Sequence, residues 1–174
     1  PRRQRQMCIR DSYNLIVSKK TLHASSLFSD QWSEKTTVLI TYANSITSTN
    51  NMSPLSSLQK FVSSKCQQFI DTVHILPFFP SSSDDGFAVK DYYNVDDEFG
   101  DWKDIINISK SFRVMADVVI NHGSSEGVWF KNFIKGEGRG HDYFLSFDNT
   151  FDITEVVRPR TSPLLNTFDT HDGN

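Results

Sequence analysis

The sequence predicts an α/β fold on a parallel sheet: the N-terminal part of a (β/α)8 barrel, about three βα units, followed by the start of an inserted loop domain. Three observations predict it. Three short β-branched or apolar runs are each followed by a segment of helical periodicity, a βαβαβα order that calls for parallel strands. The second and third runs are almost continuously apolar, as strands buried on both faces require. Polar residues, among them Asp84, Asp85, Asn121 and His122, gather just past the ends of those runs, where barrels of this kind carry their functional side chains.

The elements follow in order. Thr37-Val38-Leu39-Ile40-Thr41-Tyr42 has strand length and β-branched character. A Ser/Thr/Asn-rich loop from Asn44 to Ser53 leads to Pro54, which suits a first helical turn, with Ser53 as N-cap. Leu55, Leu58, Phe61, Val62, Phe69 and Ile70 then recur at helical spacing and predict one apolar face. The second strand is expected in Thr72-Val73-His74-Ile75-Leu76-Pro77-Phe78-Phe79, closed by Pro80. After a long loop from Ser81 to Gly100, Asp101 is the expected N-cap of a helix with Trp102, Ile105, Ile106 and Phe112 on its inner side. Val114-Met115-Ala116-Asp117-Val118-Val119-Ile120 is the third expected strand. Val128, Trp129, Phe130, Phe133 and Ile134 form a last helical stripe, ended by Gly136 and Gly138.

Three segments are expected: residues 1–35 as an artefactual or weakly ordered N-terminal stretch, 36–140 as the first three βα units of the barrel, and 141–174 as the start of a domain inserted after strand 3. Within the first, Pro1–Gln6 is basic and Met7–Ser12 resembles one reading frame of a transposon end used in preparing sequencing libraries. No apolar h-region follows these charges, which disfavours a secretory signal.

Composition narrows the function classes. A chain of 174 residues with 37% apolar residues and a net charge of −3 has the size for one core and gives no reason to expect nucleic acid. No apolar run approaches the roughly 20 residues of a membrane span, so no membrane partner is expected. Cys8 and Cys66 lack metal or redox spacing and read as reduced thiols of a cytoplasmic protein. The absence of a glycine-rich turn after the first strand counts against a nucleotide-binding sheet. No cofactor and no metal are expected. The 14 phenylalanines could be core or sugar-stacking platforms, and composition does not choose between them.

Asp117-Val118-Val119-Ile120-Asn121-His122 matches the D-x-x-x-N-H signature at the end of the third barrel strand in the α-amylase superfamily. Gly86-Phe87-Ala88-Val89-Lys90-Asp91-Tyr92 resembles its G-Y-x-x-x-D-Y stretch, with Phe for the first Tyr. The finer resemblance is to the sucrose phosphorylase group of glycoside hydrolase family 13, which includes glucosylglycerate and sucrose 6-phosphate phosphorylases. It is carried by Leu39–Ile46, Ile75–Phe87, Val157-Arg158-Pro159-Arg160 and Pro163-Leu164-Leu165, and runs from about Trp32 to the C-terminus.

That resemblance implies a retaining enzyme with an α-glucoside donor and inorganic phosphate as small-molecule partners, giving α-glucose 1-phosphate by double displacement. Retention uses two carboxyl groups about 5–5.5 Å apart around an oxocarbenium-like transition state. In the family the nucleophile lies on the fourth strand, the acid/base on the fifth and a stabilising Asp after the seventh. All three are expected beyond Asn174, so no catalytic residue is assigned and the chain alone is expected to be inactive. The resemblance carries over Asp84 and His122 as hydrogen-bonding partners of the donor ring and Phe87 as an aromatic wall against its C–H face. It also carries over Arg158 and Arg160 as guanidinium groups near acceptor and phosphate.

Plainer readings stand beside these. His122 could be a satisfied structural histidine, Arg158 and Arg160 a solvated turn around Pro159, and Asp85 a loop cap. Asp117 is expected to orient its neighbours, His74 to be a core histidine, and Trp102 and Trp129 to be core. Asn121, a calcium ligand in many amylases, is read here without metal. An α-amylase-family hydrolase or transglucosidase is the nearest alternative. A non-catalytic amylase-like subunit is a more distant one, because such subunits carry a membrane-spanning helix before the barrel. The oligomeric state is not legible.

Overall fold

The computed structural model describes residues 33–148, 150–157 and 163–173. They form two compact units, 33–127 and 128–173.

The first unit is built on three parallel strands, β1 (Val38–Thr41), β2 (Thr72–Ile75) and β3 (Arg113–Ala116), in the order β1-β2-β3. Leu39, Val73 and Val114 lie side by side in the ladder, as do Ile40, His74 and Met115 one residue on. Because side chains alternate across a strand, these two rows face opposite ways. Val73 and Ile75 are fully buried, with Leu39 and Val114 packed against the same core.

Helix α1 (Pro54–Lys65) begins as its sequence predicts. Pro54 occupies the first turn, where a missing N–H costs nothing, and the Ser53 hydroxyl accepts from Ser56 N at 3.2 Å. Leu55, Leu58 and Val62 are buried. Phe61 and Phe69, expected on that face, are exposed. Phe61 precedes Val62 by one residue, which on a helix of 3.6 residues per turn is about 100° away from the core. Phe69 lies past the helix end, in the turn that delivers the chain to β2.

Helix α2 (Trp102–Ser109) opens with the expected Asp101 cap, completed by Asp104 as a capping box. Ile105, Ile108 and Phe112 enter the core, whereas Ile106, expected beside them, is exposed for the reason that applies to Phe61. Trp102 is half-exposed, packs edge-on against Phe78 at 5.8 Å and donates its indole N–H to Tyr93 O at 2.7 Å.

Two strands are shorter than expected. After Ile75 the chain makes one more link to β1, Leu76 N to Thr41 O at 2.9 Å. Pro77 and Pro80 then bar further pairing, and Phe78 and Phe79 turn into an aromatic cluster with Tyr92 and Trp102. β3 stops at Ala116; Val118 and Ile120 are exposed while Val119 is buried. The continuous apolar run called for cover on both faces; within the first unit the buried core gathers on the side of Val73 and Ile75.

In the second unit α3 (Val128–Lys135) carries the expected aromatic stripe. Phe130 meets Phe144 at 5.1 Å and Phe168 at 4.8 Å, and Trp129 meets Tyr143 at 5.3 Å. Among its described residues no helix or strand follows Lys135.

Candidate active site

The loops that leave the C-terminal ends of β2 and β3 carry the candidate residues. The first closes on itself. Ser81 bridges Val89, Ser82 N donates to Ala88 O at 3.0 Å, and Lys90 N donates to Pro80 O at 2.8 Å, forming a short hairpin-like excursion. At its tip Asp84, Asp85 and Gly86 are all left-handed, with φ of 62°, 50° and 97°. Two successive non-glycine residues in that region are uncommon and mark local strain. Gly86 is fixed as glycine, since a Cβ there would sit 2.4 Å from Pro77 O. Asp84 at this tip is exposed, and Phe87 is half-buried with its ring packed against the core. Farther along, Asp91 accepts from Tyr93 N at 2.7 Å and from Asn94 Nδ2 at 2.6 Å, so this carboxylate of the motif shapes a turn.

The segment after β3 begins with Asp117, whose Oδ2 lies 3.1 Å from His74 Nε2. The contact joins the ends of β2 and β3, as expected of an orienting carboxylate, and gives the half-buried His74 a polar partner. His122 lies farther on and is exposed.

The two loops are tied together at several points. The Tyr92 hydroxyl donates to Val119 O. Ser124 N donates to Val89 O at 3.0 Å, and the Ser82 and Ser124 hydroxyls meet at 2.7 Å. Lys90 Nζ and Glu126 Oε2 lie 3.8 Å apart at the surface, where such a pair is worth little. Burial pushes the Tyr92 phenol above its ordinary pKa, so its proton is retained for Val119.

A groove of about 640 Å³ opens beside the hairpin, with Tyr42, Asn44, Ser82, Asp85, Glu98 and Phe99 among its walls. Asp84, Phe87 and His122 are not wall residues. The neighbouring carboxylates of the Asp84-Asp85 pair are thus differently placed, a separation made by the left-handed turn. Arg158 and Arg160 lie outside the described residues. Among the described residues no group of three or more His, Cys, Asp and Glu could hold a metal ion, and no helix is long and apolar enough to cross a membrane.

Residues 67–169, more than half of the chain, match the model of the α-amylase catalytic domain. The chain belongs to the α-amylase family. Its parallel sheet with following helices is part of the (β/α)8 barrel of that family, matched over part of its length. Among relatives, a glucosylglycerate phosphorylase of Allomeiothermus silvanus is 42% identical over 142 residues, covering 82% of this chain and 25% of the relative. One of Escherichia coli is 41% identical over 141 residues, 81% of this chain and 25% of the relative. Among solved structures, the sucrose 6F-phosphate phosphorylase of Thermoanaerobacter thermosaccharolyticum superposes with a TM-score of 0.54 at 31% identity, over 70% of this chain and 23% of that one. The chain spans about a quarter of the length of these relatives.

The ties between Ser82, Val89, Tyr92, Val119 and Ser124 are not legible in the sequence. Tyr92 closes the Gly86–Tyr92 motif, which is a usable signal. The two serines sit in serine-rich stretches and had none.

Proposed function

We propose that the protein containing this chain is a retaining α-glucosyl-transferring phosphorylase that takes glucosylglycerate as donor and inorganic phosphate as acceptor, releasing α-glucose 1-phosphate and glycerate. The observation that carries the reading is the likeness to glucosylglycerate phosphorylases over four-fifths of the chain. In this reading Asp84 and His122 hydrogen-bond the glucosyl ring and Phe87 lies against its C–H face. Contacts of this kind raise the rate only where they strengthen as the ring flattens toward the transition state. Arg158 and Arg160 approach the phosphate from a domain that opens at about residue 141, and the protein works in the cytoplasm. None of Asp84, Asp117 and Glu155 takes the nucleophile's role.

The test is a coupled assay for glucose 1-phosphate with glucosylglycerate, sucrose and sucrose 6-phosphate, each with and without inorganic phosphate, on the full-length protein. Phosphate-dependent glucose 1-phosphate, fastest from glucosylglycerate, is the expected result. Free glucose alone, at a rate indifferent to phosphate, would replace the phosphorylase reading with a hydrolase. Faster turnover of sucrose would move the donor assignment.

A further inference from the structure

The hydrogen bonds between the two candidate loops are arranged in brackets. On the first loop, Ser82 lies before Asp84, and Val89 and Tyr92 lie after Phe87. On the second, Val119 lies before His122 and Ser124 after it. Every bracketing residue of one loop is bonded to a bracketing residue of the other: Tyr92 to Val119 O, Val89 O to Ser124 N at 3.0 Å, and Ser82 to Ser124 at 2.7 Å. Of the five pinning residues three are withdrawn from water, whereas Tyr92 is half-buried and Ser82 exposed. Val89, Val119 and Ser124 are buried, while Asp84 and His122 are exposed. The polar atoms at a buried pin have no solvent to fall back on, so breaking one costs more than breaking an exposed contact.

His122 therefore sits at the middle of a short span held at both ends by the loop that bears Asp84 and Phe87. A side chain that must meet a sugar ring in a defined geometry gains from such a span, because small misplacements of a contacting group are expensive in rate. We infer that Ser124 and Tyr92 are positioning residues for His122, fixing its place relative to Asp84 and Phe87 while touching no substrate themselves. Ser124 uses both its hydroxyl and its amide for this. Its hydroxyl also accepts from Glu126 N at 3.1 Å, and its carbonyl accepts from Gly127 N at 3.1 Å, so the residue holds the turn that leaves the site. The inference rests on the proposed role of His122 against the donor.

The experiment is a double-mutant cycle on the full-length protein, with glucosylglycerate and inorganic phosphate as probes. kcat and KM are measured for the wild type, His122→Ala, Ser124→Ala and the double variant, and again with Tyr92→Phe in place of Ser124→Ala. His122→Ala is expected to lower kcat by about 10–100-fold, the worth of a hydrogen bond that tightens in the transition state. Ser124→Ala and Tyr92→Phe are each expected to lower kcat by about tenfold alone. Each should cost less than about twofold once His122 is gone, because effects that act through one group do not add. A role in stability alone predicts the opposite, the same fold-loss in both backgrounds, and that result would overturn the inference. If Ser124→Ala fails to fold, the Tyr92→Phe cycle decides alone. If His122→Ala leaves kcat unchanged, the donor role of His122 falls and the positioning role falls with it.

Discussion

A phenol that donates to a main-chain carbonyl must keep its proton, and Tyr92 is placed to do so. Its ring packs against Phe79 with centroids 5.1 Å apart, and its hydroxyl reaches Val119 O. Burial raises the phenol's pKa above its ordinary value, so on titration the unfolded chain loses this proton before the folded one. The contribution to stability is fully present below pH 10 and is lost as the pH rises through the folded-state value. The urea midpoint of the wild type should therefore fall relative to that of Tyr92→Phe as the pH is raised from 9 past 10, starting from an advantage of about 1 kcal/mol for the hydrogen bond. A difference between the two proteins that stays constant across that window would contradict the account. The Tyr was visible in the sequence as part of a motif; its partner was not, because Val119 supplies only a carbonyl and its side chain carries no polar signal.

Elements of this fold are joined at their ends as much as along their faces. The Asp104 carboxylate accepts from Ser53 Oγ at 3.0 Å, from Ser56 Oγ at 2.5 Å and from Asp101 N at 3.2 Å. One side chain in the first turn of α2 thus completes its own capping box and meets the cap of α1, while Leu55 N donates to Phe99 O at 3.0 Å alongside. Negative charge beside two helix N-termini is favourable in its own right. Asp104→Ala should lower stability by about 2 kcal/mol, combining a lost cap with stranded hydroxyls. Asp104→Asn, which keeps one accepting oxygen, should fall between, and unchanged denaturant midpoints for both would refute the shared-cap account. The caps Ser53 and Asp101 were legible because cap chemistry is local. The link between them through Asp104 was not, since Ser53 and Asp104 are 51 residues apart in the chain.

At the scale of the molecule, the described residues of the first unit leave several large apolar side chains in water. Ile40 on β1 is 60% exposed, and Val118 and Ile120, in the segment past β3, are 75% and 50% exposed; apolar surface of this kind favours association where it is contiguous. β1 and β3 are both edges of the sheet among the described residues, with backbone groups available to pair. The 174-residue chain produced alone should bind the dye ANS and self-associate, and Val118→Thr with Ile120→Thr should weaken both. A monomer by sedimentation that binds no dye would show that these side chains are not a liability.

The sequence by itself determined the order of strands and helices, the parallel sheet and the helix starts, because periodicity, proline placement and cap chemistry act over a few residues. It also carried the motifs that led to the α-amylase family. Only the tertiary structure decided which apolar residues are core: Phe61, Ile106, Val118 and Ile120 have the chemistry of burial, but cover is supplied by neighbours distant in sequence. It likewise decided that Asp84 and Asp85 part company at a left-handed turn, and that the loops bearing Asp84, Phe87 and His122 are pinned to one another. Those pins are serine and tyrosine hydroxyls and main-chain groups, whose role depends wholly on what the fold brings beside them.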